Sequence, residues 1–275
     1  MTKLKLNNGM EIPQMGTGTW TLRGETAVNN VCMALKAGFR HIDTAQMYEN
    51  EAEVGEGIRL SGVAREEVFL TTKVSPPAMR QGEEAVRKSI DESLRKLNTP
   101  YIDLLLIHWP VKGAVAFTWK IMESYVKAGK IRSLGVSNFN PDHLDDLLSY
   151  AEIRPVINQI EVHPYHSQVE NIAFNHRLGI QVEAWGPFGQ GDIDIVGNPV
   201  LQGLAKKYDK TIAQIVLRWI VQRDLITIPR CRPHHFAENL DVMQFTLSDE
   251  DMQAVSALNQ NHRSDPRNNP EDFPW

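Results

Sequence analysis

The feature that most restricts this chain is an alternation of short apolar runs with stretches of helical periodicity, repeated along nearly its whole length. Val28, Val31, Cys32 and Leu35 stand at i, i+3, i+4 and i+7, and Gly38 follows as a helix stop. Strand-like residues 41–43 come next, then a polar helix near 50–60 and a strand at 68–73. The following helix carries Val86, Ile90, Leu94 and Leu97 on one stripe. Residues 102–107 are apolar on both faces, as suits a parallel strand buried between helices and a barrel centre. Further strands are expected at 133–136, 156–161, 181–185 and 225–228, with a short one at 14–16. That is about eight β/α units without a linker, in 275 residues, so the pattern predicts one α/β domain over residues 1–275, a (β/α)8 barrel. An open, doubly wound sheet would give the same alternation. Ahead of it, alternating residues 3–6, the Asn8-Gly9 pair and residues 10–12 read as a β-hairpin with a type I′ turn. The hairpin reads as a lid rather than as core.

Composition removes several function classes. Hydrophobic residues are 42% and charged residues 23%, the balance of a globular enzyme. No apolar run has signal-peptide or bilayer-spanning length, so a cytoplasmic protein without a membrane partner is expected. The two cysteines, Cys32 and Cys231, lie far apart, which fits a reducing compartment and gives no disulfide framework. Cys32 falls on the apolar stripe and reads as packing. A net charge of −5 offers no general attraction for nucleic acid, so an anionic ligand needs a local basic cluster. One is present at Arg230, Arg232, His234 and His235. The histidines of His163-Pro164-Tyr165-His166 and of His234-His235 have no thiol or carboxylate arranged around them, and no metal is expected.

The chemistry-bearing residues fall at strand ends. Asp43 ends one strand, Tyr48 lies in the loop beyond it, Lys73 ends the next strand and His108 the one after. In a parallel barrel these ends share one face, where active sites lie. Singly, each has an ordinary reading: a helix cap, a surface aromatic, a solvated charge, a hydrogen-bonded histidine. Their common location is what points to a site. Glu161 and Glu183 also fall near strand ends and would suit a glycosidase, but that leaves Tyr48, Lys73 and His108 unexplained.

Several strings resemble the aldo-keto reductase family, in the same order over nearly the whole chain. They are Gly16-Thr17-Gly18-Thr19-Trp20, His41-Ile42-Asp43-Thr44-Ala45 with Tyr48, Thr72-Lys73, and Ile107-His108-Trp109-Pro110. Gly135-Val136-Ser137-Asn138-Phe139, Asn158-Gln159-Ile160-Glu161 and Ala237-Glu238-Asn239-Leu240 complete the set. The segment from Glu183 to Gly191 looks most similar to bacterial 2,5-diketo-D-gluconate reductases, with Trp185 where many relatives have tyrosine. The resemblance implies a catalytic tetrad of Asp43, Tyr48, Lys73 and His108. A free phenol, with a pKa of about 10, is a reluctant acid near neutrality. Lys73 beside Tyr48 is expected to lower that pKa, Asp43 to keep Lys73 charged, and His108 to orient the carbonyl.

The resemblance further implies an extended NADPH across the barrel mouth. Ser137, Asn138 and Gln159 would hold its carboxamide and Trp185 would stack on its ring. Thr19, Asp43, Gly186 and Phe188 are assigned to the cofactor on the same ground. So are Arg230, Cys231, Arg232, His235, Glu238 and Asn239 towards the phosphate end. The segment departs from the family there: Arg230 and Cys231 stand for lysine and serine, it is one residue shorter, and His235 stands for arginine. Two arginines suit a 2′-phosphate, whereas histidine is a weaker cation near pH 7, so modest preference for NADPH with use of NADH is expected. Trp20, Met47, Tyr48, His108 and Trp109 are candidate substrate contacts, framed by short loops and the tail 263–275. Arg23, Lys112, Arg263 and Arg267 are candidates for an anionic substrate. The expected partner is a small carbonyl compound (an aldehyde, a keto sugar or a keto-sugar acid) and the expected state a monomer. A methylglyoxal-type detoxifying reductase and a non-catalytic nucleotide-binding barrel are the alternatives.

Overall fold

A computed structural model describes residues 2–191 and 193–272. Phe273, Pro274 and Trp275 of the expected framing tail therefore lie outside the described residues. The hairpin strands are β1 (Lys3–Lys5) and β2 (Glu11–Pro13). Eight parallel strands follow: β3 (Thr17–Gly18), β4 (His41–Asp43), β5 (Phe69–Val74) and β6 (Ile102–Ile107). Then come β7 (Ile131–Ser137), β8 (Ile157–Glu161), β9 (Gln181–Trp185) and β10 (Ile226–Thr227). Each neighbours the next in chain order. The expected strand at 14–16 is displaced to Thr17–Gly18, and the residues before it do something else. Met15 bridges to Thr227, with Gly16 N–H donating to the Thr227 carbonyl (2.9 Å) and Thr227 N–H to that of Gln14 (3.0 Å). These bonds join the last strand to the first. The ring is closed, which decides between the barrel and the open sheet.

Helices cover the outside. The stripe at 28–35 belongs to Gly24–Ala37, stopped by Gly38 at φ 113°, a value that costs a residue without Cβ nothing. Cys32 is half-buried on this helix rather than in its packed stripe. Val86, Ile90 and Leu94 face inward from Glu83–Lys96 and join one large cluster with the outward faces of β5 and β6. Among the described residues, no helix is long and apolar enough to cross a membrane.

The lumen is graded from apolar to polar. At the amino-terminal ends of the strands, Phe69, Ile157 and Ile226 meet Leu6 and Ile12 of the hairpin region, with Leu104 and Leu106 farther along β6 in the same cluster. The hairpin thus covers the barrel floor, opposite the strand ends that carry the expected site, and its buried side chains belong to the core. Asn7 ties it there by donating to the Pro155 and Gly179 carbonyls (2.9 and 3.1 Å). Its turn is not type I′. Gly9 N–H donates to the Leu6 carbonyl and Leu6 N–H to that of Met10, with Gly9 alone at positive φ (88°), the pattern of a longer loop with a glycine bulge. Only one left-handed residue is needed, so Asn8 stays in ordinary backbone.

Candidate active site

Above the floor, polar side chains replace apolar ones. Asp43 closes β4, and its Oδ1 accepts a 2.6 Å hydrogen bond from the Nζ of Lys73 on β5. That ammonium, fully buried, also donates to the Thr44 carbonyl (2.8 Å) and to the Tyr48 hydroxyl (3.3 Å). Tyr48 ends a single 3₁₀ turn, Gln46–Tyr48, whose position is set by Gln46. The Gln46 amide donates to the Ser89 carbonyl and Ser93 hydroxyl (both 3.1 Å) and accepts from Ser75 N–H (2.8 Å). His108, the first residue past β6, lies edge-on to the Tyr48 ring at 5.8 Å between centroids. Parallel strands in register have thus placed the four groups side by side.

Their electrostatics follow from burial and one ammonium. Burial pushes the Asp43 carboxyl up, and Lys73 pulls it back. Burial also opposes the Lys73 charge, but Asp43 and Tyr48 together raise its pKa above the usual lysine value, so it stays protonated. The Tyr48 phenol is raised as well. Burial outweighs the lowering by Lys73, and Asp43 adds to the rise. The expected lowering therefore exists as one contribution and is not the net result. A phenol held protonated is a loaded donor, which ionises only as charge develops beside it. His108 is held well below its ordinary value by burial and by Lys73, so its ring is neutral at pH 7 and can donate one hydrogen bond.

A second group stands across the mouth. The Ser137 hydroxyl donates to the Gln159 carbonyl (2.9 Å), and the Asn138 amide donates to the His108 carbonyl (3.1 Å). The Trp185 indole N–H donates to Asn138 Oδ1 (2.9 Å). Asn138 holds φ at 62°, a conformation asparagine tolerates better than most residues. Gln159 Nε2 donates to Asp43 Oδ2 and to Glu183 Oε2 (both 2.8 Å), linking this wall to the tetrad.

A cavity of about 700 Å³ lies over both groups. Asp43, Tyr48, His108, Ser137, Asn138 and Gln159 reach it, as do Trp20, Met47, Trp109, Trp185, Gly186 and Phe188. Arg230 stands at its margin, bonded to the Thr21 hydroxyl. Lys73 lies beneath it. Thr19 is buried behind Asp43, with hydroxyl and N–H on the Asp43 carbonyl (both 3.0 Å). Cys231 and Asn239 are buried against each other, amide to sulfur 3.1 Å, and burial pushes the thiol up to about 12. Neither reaches the cavity, nor do Arg232, His235 and Glu238. His235 contacts Glu238 at 2.9 Å, and that carboxylate also accepts from the Thr211 hydroxyl. Of Arg23, Lys112, Arg263 and Arg267, only Arg267 lines the cavity. Gly18, Pro187, Gln190, Gly191 and Ile228 also line the cavity without having been expected there, as do Asp265 and Asn268 of the tail. Gly18, Pro187, Gln190 and Gly191 lie within the strings that resemble the family, a signal present in the sequence. Glu161 and Glu183 are fully enclosed and do not reach the cavity, so they offer no carboxylate pair to a glycoside.

Comparison with known proteins agrees with this arrangement. Residues 14–260 match the model of the aldo/keto reductase family. The chain is 45% identical to a glyoxal reductase of Bacillus subtilis (strain 168), over 98% of this chain and 96% of that protein. It is 40% identical to methylglyoxal reductase DkgA of Escherichia coli (strain K12), over 96% of each. A solved aldo-keto reductase of Bombyx mori, in complex with NADP, superposes with a TM-score of 0.89 at 37% identity, covering 99% of this chain and 97% of the other. With a closed parallel barrel, the four polar groups at its mouth and these relatives in agreement, the chain belongs to the aldo/keto reductase family.

Proposed function

We propose that this chain reduces small, uncharged carbonyl compounds, aldehydes above all, with NADPH as the preferred donor and Tyr48 as the proton source. One observation carries the proton assignment: the Tyr48 hydroxyl stands 3.3 Å from a fully buried ammonium and beside a neutral imidazole, at the floor of the cavity. The residues fit a nicotinamide nucleotide. Asn138 and Gln159 supply amide groups beside the Trp185 indole, which suits a planar ring bearing a carboxamide, and Arg230 marks the end suited to phosphate. When bound, the reduced nicotinamide supplies the hydride. As negative charge grows on the carbonyl oxygen, His108 orients that oxygen and Tyr48 releases its proton to it. Lys73, kept charged by Asp43, stabilises the phenolate left behind.

Charge on the rim supports neutral aldehydes over keto-sugar acids. The Arg267 guanidinium is engaged by Asp265 through Nε (3.0 Å) and Nη2 (2.6 Å), and the surrounding wall is aromatic at Trp20, Trp109 and Trp185. Such a wall suits an uncharged substrate. The exposed Arg230 and Arg232 support binding of a 2′-phosphate, and His235 beside Glu238 is a weaker cation than an arginine. Mixed use of NADPH and NADH is therefore part of the proposal.

Loss of nicotinamide absorbance tests it, with methylglyoxal, glyceraldehyde and 2,5-diketogluconate as substrates and Tyr48→Phe alongside. Turnover should fall by about 10²–10⁴-fold in Tyr48→Phe, with cofactor binding retained. Equal activity in the variant would overturn the proton assignment, and preference for the diketo acid would overturn the substrate class. A kcat/KM ratio between cofactors above roughly 10³, about 4 kcal/mol, would exclude mixed use.

A further inference from the structure

A buried carboxylate outside the tetrad holds the polypeptide that borders the substrate side of the cavity. Glu161 ends β8, two residues past Gln159, and is 1% exposed. Its Oε1 accepts a 2.8 Å hydrogen bond from the backbone N–H of Ser264, 103 positions along the chain. His163 Nε2 lies 3.2 Å from the same oxygen. Burial opposes the charge, yet these hydrogen bonds hold the carboxyl below its ordinary range, so it is anionic at neutral pH. Half-buried Arg263 adds a favourable cation nearby.

The loop after β8 carries more of the same attachment. The Tyr165 carbonyl accepts from the N–H groups of Gln260 and His262 (both 3.0 Å), and Ser167 N–H donates to Asn259 Oδ1 (3.0 Å). Residues 259–264 are thereby fastened along one loop. Beyond Ser264 the chain turns through Pro266–Asn268 and presents Asp265, Arg267 and Asn268 to the cavity. Further on, Glu271 accepts from the Asn140 amide, next to β7. The segment belongs to no sheet, so its position rests on these few bonds.

We propose that Glu161 is a positioning residue for substrate, which by holding Ser264 sets where Asp265, Arg267 and Asn268 stand on the cavity rim. Its backbone pairs with Trp185, but its carboxylate bonds to neither the tetrad nor the wall assigned to the nicotinamide, so the effect of its charge belongs to carbonyl binding and not to proton or hydride transfer. The inference about catalysis rests on the reductase reading, whereas the attachment itself does not.

The test uses Glu161→Gln in the full-length chain, which keeps size and removes charge. The carbonyl KM should rise by about tenfold or more, with kcat and the NADPH dissociation constant unchanged. In an Asp265→Ala/Arg267→Ala/Asn268→Ala background the same substitution should add little, because the groups it positions are gone. A fall in kcat together with weaker NADPH binding, or a KM effect undiminished in that background, would overturn the proposal. Limited trypsin digestion read by mass spectrometry needs no turnover. Cleavage after Arg263 and Arg267 should quicken in Glu161→Gln by at least about threefold, and unchanged cleavage would overturn the anchor whether or not the protein reduces aldehydes.

Discussion

The lower and upper halves of the barrel lumen are built from the same strands and are chemically opposite. Below, β5, β6, β8 and β10 contribute Phe69, Leu104, Ile157 and Ile226, sealed by Leu6 and Ile12. Above, β4, β5, β8 and β9 contribute Asp43, Lys73, Gln159 and Glu183, joined by hydrogen bonds of 2.6–2.8 Å. The lower half gains from removing apolar area from water. The upper half pays desolvation for every charge it encloses, and a hydrophobic replacement of such a pair is often no less stable. One half holds the fold together; the other encloses polar groups at some cost to it.

Substitutions in the two halves should separate these roles. Lys73→Met has the largest expected effect. Turnover should fall by about 10²–10⁴-fold, and stability by about 3–5 kcal/mol, because Asp43 is left buried without its partner. Adding Asp43→Asn should recover much of the stability, followed by urea denaturation, and none of the turnover. Recovery of turnover would place catalysis elsewhere. Leu6→Ala, in the floor, should cost about 2–5 kcal/mol while kcat per folded molecule is unchanged. A comparable loss of kcat would mean that the halves are mechanically coupled.

The smallest effect concerns Glu183, fully buried between Gln159 and His41 (3.4 Å), whose carboxyl is pushed up to about 8 by burial and by Asp43. A carboxyl that ionises near 4.5 when unfolded and near 8 when folded binds more protons in the folded state between those values. Its contribution to stability is complete below pH 4.5 and is lost as pH rises towards 8. In Glu183→Gln the decline of the unfolding free energy across this window should be shallower, by at most about 1.4 kcal/mol per pH unit. An unchanged slope would show that Glu183 does not carry this proton.

The grouping was legible because Asp43, Lys73 and His108 sit at or beside the ends of consecutive strands, with Tyr48 in the turn after the first, and a parallel sheet brings strand ends together whatever separates them in sequence. Residues 102–107 and the stripe of Val86, Ile90 and Leu94 were legible for the same reason: local periodicity reports which face is buried. The hairpin turn was misjudged because Asn8-Gly9 satisfies two turn types, and the number of left-handed residues depends on how the strands pair. Thr19, Cys231 and Asn239 were expected at the cofactor from the resemblance, and their burial away from the cavity could not be read from local sequence.

The sequence by itself determined the alternation of strands and helices, the strand ends that carry Asp43, Lys73 and His108, and the family. These are properties of neighbouring residues and of motifs in order, written along the chain. Ring closure through Met15 and Thr227, the net direction of the Tyr48 pKa, and the attachment of Ser264 to Glu161 were decided only by tertiary structure. Each depends on distances between groups far apart in sequence and on how much water remains around them, and neither quantity exists until the barrel has closed.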